Sequence, residues 1–175
     1  MSVPKEKYYR LLHPRPVYVI GSGSIKNNEI NFMAASWVSP ITESGIVSLA
    51  CDKETKTYEL IEKYKQFSIN ITDNIDLIWN VGTTSGKEIN KIEKFKIEYE
   101  SGKVLDVPIL KERLGYLEVK VINQIDLKDH ILYLGEVVNF DAKNADIYGW
   151  KEYWRIPLHK GGKAFVFPEK KLIFK

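Results

Sequence analysis

Short runs of β-branched and aromatic residues, divided by turn-forming residues, dominate the chain from residue 15 onward. The first three runs cover residues 15–25, 30–41 and 45–52, and a polar turn at 26–29 separates the first two. Such runs, bounded by Gly, Asn, Asp and Ser, are typical of β-strands. They predict a meander in the first third of the chain.

Two longer runs, 115–127 and 130–142, predict strands in the second half of the chain. In the first of them, two sets of residues alternate, which is the pattern of a strand with one face in water. One set is Leu117, Val119 and Val121, and the other is Tyr116, Glu118, Lys120 and Ile122. We therefore expect the face that carries Glu118 and Lys120 to be exposed.

Residues 56–71 change period, with apolar positions first at helical spacing and then, at 67–71, a return to a strand. The helical stripe consists of Tyr58, Leu60, Ile61 and Tyr64. Thr57 stands where an N-cap is expected, and Glu59 lies in the first turn. The segment predicts one helix followed by a strand.

Less regular segments complete the chain. A glycine-containing break at 83–88 precedes a charged stretch at 89–102, and a tight turn at 159–163 precedes a short strand at 164–167. Six or more strands with one or two α-helices predict a mostly β fold, either a small barrel or a sandwich.

We expect a single domain over residues 1–175, since no internal repeat and no Pro/Gly/Ser-rich linker divides the chain. Residues 1–12 are then an N-terminal lead-in, and residues 145–175 are a C-terminal tail.

Composition narrows the function classes. An apolar content of 44% with 28% charged residues is ordinary for a soluble globular protein. The net charge of +3 comes from 26 basic and 23 acidic residues spread along the chain, too small an excess to indicate a nucleic-acid surface. No apolar run approaches the ~18 residues that span a bilayer, so we expect no membrane segment.

Cysteine and histidine usage excludes two further kinds of site. Cys51 is the only cysteine, so no intrachain disulfide can form, which fits the reducing cytoplasm. The three histidines show no spacing typical of metal ligands, and we expect no metal site.

Small residues interrupt the second predicted strand, at Ala34, Ala35 and Ser36. Small side chains let a flat ligand approach the backbone, although they also accommodate a crossing strand. Further on, Lys53, Thr55, Lys56 and Thr57 lie at the predicted helix start, where free backbone N–H groups and the helix dipole favour an anion. A flat ring with a phosphate tail suits both features, but Thr57 alone is also explained as a cap.

The order of several motifs resembles the flavin reductase-like family of FMN-binding split-barrel proteins. The resemblance covers roughly residues 13–165. It rests on RPV before the first strand, N-x-M-A-A-S-W-V-S-P at 31–40, K-x-T ahead of the helix, and DH-x-x-x-x-G-E-V at 129–137. It implies a Greek-key split β-barrel and a homodimer with FMN at its interface. It also implies the redox role of most members, which is either to reduce flavin with NADH or NADPH as the electron donor or to carry electrons, as a flavoredoxin does.

The resemblance also implies which residues contact FMN. The isoalloxazine ring would lie along Asn31, Met33, Ala34, Ala35, Ser36 and Trp37. The ribityl and phosphate side would lie along Cys51, Asp52, Lys53, Lys56 and Thr57, with Lys56 and Thr57 as the strongest candidates. A third segment that approaches the flavin would contribute Thr84, Ser85, Gly86 and Lys91.

Three residues in the matched motifs have an alternative interpretation. Asn90 stands where the family has an acid before its lysine, which leaves the contacts of Lys91 open. Cys51, with no activating neighbour in the sequence, has the character of a buried apolar side chain. His130 either faces the nicotinamide side of the flavin, as a catalytic group, or fixes the entry of its strand.

The tail contains an aromatic cluster with three alternative roles. Tyr148, Trp150, Tyr153 and Trp154 could form a dimer interface, close over the flavin as a lid, or pack beneath a loop.

Three functions are therefore compared. The first is an FMN-dependent oxidoreductase that takes hydride from NAD(P)H, and the second is a non-enzymatic FMN carrier. The third is a nucleic-acid-binding barrel, which the interleaving of Lys94 and Lys96 with Glu93 and Glu98 disfavours. Because no Gly-x-Gly-x-x-Gly fingerprint is present, a nicotinamide would have to stack directly on the flavin.

Overall fold

The computed structural model describes residues 3–170 and consists mainly of antiparallel strands. Residues 1–2 of the predicted lead-in and 171–175 of the predicted tail lie outside the described residues. The strands are β1 (Arg15–Pro16), β2 (Tyr18–Ser24), β3 (Glu29–Ala35), β4 (Val38–Pro40), β5 (Ile46–Asp52), β6 (Gln66–Ile71), β7 (Tyr99–Ser101), β8 (Pro108–Leu110), β9 (Gly115–Leu127), β10 (His130–Ala142), β11 (Ala145–Asp146), β12 (Gly149–Trp150), β13 (Leu158–Gly161) and β14 (Ala164–Val166). The α-helices are α1 (Lys56–Tyr64), α2 (Ile75–Thr83) and α3 (Lys91–Phe95), and 3₁₀ helices cover Lys5–Leu12 and Tyr153–Arg155.

Seven strands form one curled sheet in the order β3-β2-β6-β9-β10-β5-β4. Its two edge strands, β3 and β4, are separated in the chain by only Ser36 and Trp37. The sheet must therefore curl until its ends approach each other, and the N–H of Ala50 on β5 donates to the carbonyl of Trp37 at 3.0 Å. This confirms the mostly β, barrel-like fold expected from the sequence.

The predicted strand at 30–41 is divided, which makes the simple meander wrong. β3 pairs with β2, whereas β4 pairs with β5 at the other end of the sheet. The chain therefore crosses from one edge of the sheet to the other at Ser36 and Trp37, inside the run of small residues.

Two apolar clusters lie on opposite sides of the sheet. Inside the barrel, Ile20, Leu49, Phe67, Val119 and Tyr133 are fully buried. Outside it, α2 and the segment around α3 cover a second cluster that contains Phe32, Ile78, Val81 and Leu110. Each large side chain removed from water contributes roughly 1.5–3 kcal/mol to folding, so both clusters stabilise the positions of β3 and α2.

The expected exposure of Glu118 is wrong, because this side chain is fully buried. Its carboxylate accepts backbone N–H bonds from Lys103 (2.8 Å), Val104 (2.9 Å) and Leu105 (2.6 Å), and a further bond from Asn139 Nδ2 (2.7 Å). Burial raises the pKa of Glu118, but these hydrogen bonds outweigh it and leave the pKa below its ordinary value. The strand has a polar residue at this position because the 103–105 loop needs an acceptor.

Of the three α-helices within residues 3–170, the sequence located only α1, and α2 and α3 were not predicted. Asn74 caps α2 by accepting from the N–H of Leu77 (2.9 Å), and Asn90 caps α3 by accepting from the N–H of Ile92 (3.1 Å). In α1 the N-cap is Thr55, whose Oγ1 accepts from the N–H of Tyr58 (3.1 Å), so the assignment of the cap to Thr57 is wrong. Within residues 3–170, no helix has the length and apolarity needed to cross a bilayer.

Candidate functional site

A groove with two adjoining cavities runs along the free edge of β3. One cavity, of about 220 Å³, lies between β3, residues 54–57 at the start of α1, and residues 81–86 at the end of α2. We call it the polar lobe. The other, of about 180 Å³, lies between Ala34–Ser36, α2 and the β13–β14 hairpin, and we call it the apolar lobe. Both are lined by Gly82 and Thr83, so the lobes meet at the end of α2.

A buried hydrogen bond forms the floor of the polar lobe. Asn31 on β3 donates from Nδ2 to Oγ1 of Thr57 in the first turn of α1, at 2.9 Å, and both residues are almost completely buried. Gly86 packs directly over this pair, and a Cβ at that position would collide with Oδ1 of Asn31. Thr57 therefore ties the helix start to β3 instead of capping the helix.

The start of α1 presents donors to the polar lobe. Thr55 caps the N–H of Tyr58, and the N–H groups of Lys56 and Thr57 precede it, at positions where a helix has no intrahelical acceptor. The Lys56 ammonium lies 3.2 Å from Glu59 at the surface. The hydroxyl groups of Thr84 and Ser85 belong to residues that line the same cavity, whereas those of Thr55 and Thr83 donate to the carbonyls of Asp52 (2.7 Å) and Trp79 (2.8 Å). This donor set, at the positive end of a helix dipole, suits an anion.

Lys91 lies beneath the polar lobe and is only 4% exposed. Its Nζ donates to the carbonyl of Phe32 on β3 (2.9 Å) and to the carbonyl of Val81 on α2 (2.7 Å). Burial lowers the pKa of Lys91 to about 8. The family resemblance implies a flavin contact for this lysine, and the structure shows its head group hydrogen-bonded to the backbone of the two groove walls.

The apolar lobe explains why residues 34–36 are small. Ala34 packs against the cluster beneath α2, and a Cβ placed on Gly82 would lie only 3.0 Å from the Cβ of Ala34. Ala35 packs on the other face, against the barrel interior. The crossing of α2 thus requires a small residue at position 34, and the backbone of 34–36 still borders the lobe. Packing and ligand access are both served by the same three residues.

Trp37 and His130 are brought together away from the two lobes. Their ring centroids lie 5.3 Å apart with an interplanar angle of 32°, and the ring of Tyr9 meets Trp37 edge-on at 5.6 Å. Nδ1 of His130 lies 3.3 Å from Oδ1 of Asp129. Neither Trp37 nor His130 lines either lobe within one chain.

Three other predicted residues also lie outside the lobes. Cys51 is fully buried, and burial raises the pKa of its thiol to about 11. Asp52 accepts the N–H of Glu54 at 2.8 Å. Nζ of Lys53 is 2.6 Å from Asp126. The structure therefore groups eight predicted residues in the polar lobe, namely Asn31, Met33, Lys56, Thr57, Thr84, Ser85, Gly86 and Lys91, and three in the apolar lobe, namely Ala34, Ala35 and Ser36.

Several groove residues were not among the predicted site residues, some because α2 was not predicted and others because no motif marks the terminal hairpin. Ile78, Trp79 and Gly82 of α2 line the apolar lobe, as do His159 and Phe165 of the terminal hairpin. The rings of these last two residues lie 5.4 Å apart. The sequence does carry a signal for this helix. Asn74, a typical N-cap residue, is followed by Ile78, Trp79 and Gly82 at the helical spacing i, i+1 and i+4.

Other cavities fit an anion less well. A cleft of about 560 Å³ lies on the far side of α2 and is lined by the carboxylates of Asp76, Glu98 and Glu112 and by Lys96. Its predominance of carboxylates opposes a phosphate, in spite of its size. Within residues 3–170, no group of three His, Cys, Asp or Glu side chains is arranged to hold a metal ion.

Comparison with known proteins gives consistent matches over most of the chain. The sequence model of the flavin reductase like domain matches residues 9–155. An uncharacterized protein of Pyrococcus abyssi is 32% identical over 146 residues, covering 82% of this chain and 83% of that protein. The ferric-chelate reductase (NAD(P)H) of Archaeoglobus fulgidus is 24% identical over 163 residues, covering 91% of this chain and 92% of the reductase.

A solved structure shares the fold. The crystal structure of an FMN-binding protein from Thermus thermophilus with bound 1-cyclohex-2-enone aligns with a TM-score of 0.88 and 21% identity, covering 100% of this chain and 97% of that one. This likeness confirms the split-barrel architecture that the sequence motifs predict.

Proposed function

The chain belongs to the flavin reductase-like family, and from that premise we propose that it is an FMN-binding oxidoreductase that passes electrons from NADH or NADPH through the flavin to an acceptor. The observation that carries the proposal is the groove itself. It joins a cavity rich in cationic and N–H donors to an apolar cavity bordered by backbone. FMN has the same two chemistries, a dianionic phosphate and a planar ring.

The donor set of the polar lobe fits the FMN phosphate. The ammonium of Lys56, the first N–H groups of α1 and the hydroxyls of Thr84 and Ser85 would supply charge-assisted and neutral hydrogen bonds. The buried Lys91 adds a positive charge behind them when it is protonated.

The ring fits the apolar lobe. Ala34, Ala35 and Ser36 leave the β3 backbone accessible there, and Trp79 and Phe165 provide aromatic surface across the lobe. FMN, when bound, supplies the electron-transfer chemistry. The chain binds and orients it, limits water access with the apolar residues of α2 and the β13–β14 hairpin, and sets the charge near the cofactor.

We extend the proposal to a homodimer in the cytoplasm with FMN at its interface. Apolar side chains are exposed on the long β9–β10 hairpin, among them Ile122, Ile125, Leu127 and Phe140, and exposed apolar surface of this kind favours association. His130 is kept as the proposed catalytic contact of the nicotinamide. Because it lies outside both lobes of its own chain, the groove of a second protomer would have to meet it.

The test begins with the absorbance spectrum of the purified protein with and without added FMN, followed by NADH and NADPH oxidation. Bound flavin together with FMN-dependent oxidation is the expected result. Bound FMN without turnover with either donor would instead identify a carrier, and the absence of FMN binding would remove both functions. Light scattering during gel filtration, with and without FMN, tests the homodimer.

A further inference from the structure

The ammonium of Lys91 joins the two walls of the groove. It is almost fully buried, and its Nζ donates to Phe32 on β3 at 2.9 Å and to Val81 on α2 at 2.7 Å. β3 is an edge strand of the seven-stranded sheet, and Val81 is among the last residues of α2. Carbonyls at a sheet edge and at a helix C-terminus lack partners within their own element, and a cation is favoured at the helix end.

This cation has no carboxylate partner among residues 3–170, where the ion pairs involve other lysines and arginines. A charge buried without a counter-ion is unfavourable unless dipoles or a ligand compensate it. The two carbonyls do so in part. The lowered pKa of Lys91, with burial as its cause, shows that the compensation is incomplete.

An anionic ligand in the groove could supply the negative charge that Lys91 lacks. Lys91 lines the polar lobe and also an adjoining surface cavity of about 510 Å³ that shares Asn31, Lys56 and Gly86 with it. An anion in the polar lobe would thus lie in the same cavity as the one buried, unpaired ammonium described there.

We infer that Lys91 is a positioning residue that holds both groove walls. An anion bound in the polar lobe stabilises the protonated form of Lys91, so that ligand affinity depends on the protonation of this residue. The naming of FMN as that anion rests on the proposed function. The coupling itself rests on the buried ammonium, its two backbone partners and its place in the cavity wall.

The other charged and titratable groups around Lys91 come from each neighbouring element. They are Glu29 on β3, Glu54, Lys56 and Glu59 at the start of α1, Lys87 and Glu88 in the 84–90 loop, Glu93 on α3 and Tyr99 on β7. Hydrogen bonds from lysines lower the pKa of Glu29 and of Glu59. Both stay ionised above pH 7 and do not contribute a change there.

The sign of the effect follows from linkage. An anion stabilises the charged form of Lys91 and raises its pKa, so binding takes up a proton wherever the free protein has lost it. Affinity is constant below the free-state pKa of about 8 and falls above it. The fall approaches about tenfold between pH 7 and pH 9. The second ionisation of a phosphate monoester lies at about pH 6, so the charge of the phosphate is steady over this range.

The experiment is a calorimetric titration of FMN at pH 7, 8 and 9, in two buffers of different ionisation enthalpy, on the wild type, Lys91→Gln and Lys87→Gln. Glutamine keeps two N–H donors and loses the charge. The wild type and Lys87→Gln should weaken by about tenfold from pH 7 to pH 9 and take up protons at pH 9. Lys91→Gln should bind more weakly at pH 7 and show neither effect. Lys91→Arg, which keeps the charge, should bind more tightly at pH 7 than Lys91→Gln and remain tight at pH 9.

A wild-type affinity that is flat from pH 7 to pH 9, or a fall that persists in Lys91→Gln, overturns the inference. If FMN does not bind at pH 7, the flavin proposal fails, and inorganic sulfate, which stays a dianion over this range, replaces FMN as the probe of the same lobe. The coupling then stands or falls on whether sulfate binding shows the Lys91-dependent change with pH. Circular dichroism of each variant at each pH excludes unfolding as the cause of any loss.

Discussion

Asn31 and Thr57, 26 positions apart in the chain, are joined by a buried hydrogen bond of 2.9 Å from Nδ2 to Oγ1. This contact fixes the first turn of α1 against β3, and Gly86 of the loop after α2 closes over it. The three elements that meet at this point are the elements that build the polar lobe. The geometry of the proposed phosphate site therefore depends on a contact that does not itself need to touch a ligand.

Replacing Thr57 with valine tests this contact. Valine keeps the shape but leaves the buried Asn31 amide without its acceptor, which costs about 1–3 kcal/mol in the free energy of unfolding. Urea unfolding measures the loss, and FMN affinity should fall as well. Thr57→Ser keeps the hydroxyl and should retain most of both. Equal stability of Thr57→Val and the wild type would show that the bond contributes nothing.

Two lysines near the start of α1 make a matched pair for the proposed phosphate contact. Lys56 lines the polar lobe, whereas Lys53 is 2.6 Å from Asp126 and lies outside it. Lys56→Ala should cost about 1.5–3 kcal/mol of FMN affinity, the range for a hydrogen bond to a charged group. Riboflavin, which lacks the phosphate, should bind both forms alike.

Lys53→Ala should leave FMN binding unchanged, because Lys53 lies outside the polar lobe. Its exposed ion pair with Asp126 is worth at most about 1 kcal/mol of stability, so the fold should also be retained. Fluorescence titrations with FMN and riboflavin separate the two cases. A larger loss of FMN affinity in Lys53→Ala than in Lys56→Ala would reverse the assignment.

The sequence predicts elements well where the local pattern and the tertiary environment agree. β9 and β10 are found at 115–127 and 130–142 as expected, because long alternating runs suit strands of a sheet. α2 was missed because its apolar residues, Ile78 and Val81 among them, pack against β3, a partner that is distant in the chain. The burial of Glu118 was equally unpredictable, since its partners are backbone groups of a loop.

In the candidate site, too, the sequence predicts which neighbouring residues lie together but not the contacts between distant elements. Residues near one another in sequence, such as Lys56 and Thr57 or Thr84 and Ser85, are found together in the polar lobe. Lys91 was identified by motif, but its two carbonyl partners depend on the position of α2 relative to β3. Trp37 adjoins the small residues in sequence yet lies beside His130, because the chain leaves β3 for the opposite edge of the sheet at that residue.

Glu118 gives a prediction for stability against pH. Its pKa is lower in the folded protein than its ordinary value, so its contribution is complete above that ordinary value and is lost as the pH falls through the folded value. Glu118→Gln should therefore be less stable than the wild type at pH 7, with a difference that shrinks in acid.

Urea unfolding of the wild type and Glu118→Gln at pH 7 and at several acidic pH values measures this difference. Glu118→Ala, which leaves the N–H groups of residues 103–105 without an acceptor, should cost about 3 kcal/mol or more at pH 7. A wild-type advantage over Glu118→Gln that stays constant with pH would mean that the carboxylate is not charged in the folded state.

Two adjacent alanines provide the last test, because their side chains lie on opposite faces of β3. Ala35 packs against the barrel interior, so Ala35→Leu should destabilise the protein by about 1–3 kcal/mol through overpacking. Ala34 faces the end of α2 at Gly82, where the two lobes meet. A leucine there should displace the end of the helix or fill the lobe, and FMN binding should be lost beyond any loss of stability.

Thermal melts with and without FMN separate the two effects, with Ala34→Ser as the control that adds a single oxygen. The rise in melting temperature on addition of FMN should persist in Ala35→Leu and Ala34→Ser and disappear in Ala34→Leu, since only the last change intrudes where the ring is proposed to lie. If Ala34→Leu keeps the full FMN-induced rise, the ring does not use this lobe. If the FMN-induced rise in Ala34→Leu decreases only as far as the melting temperature of the variant itself has decreased, the loss reflects destabilisation. Residues 34–36 would then be small only because α2 packs across them.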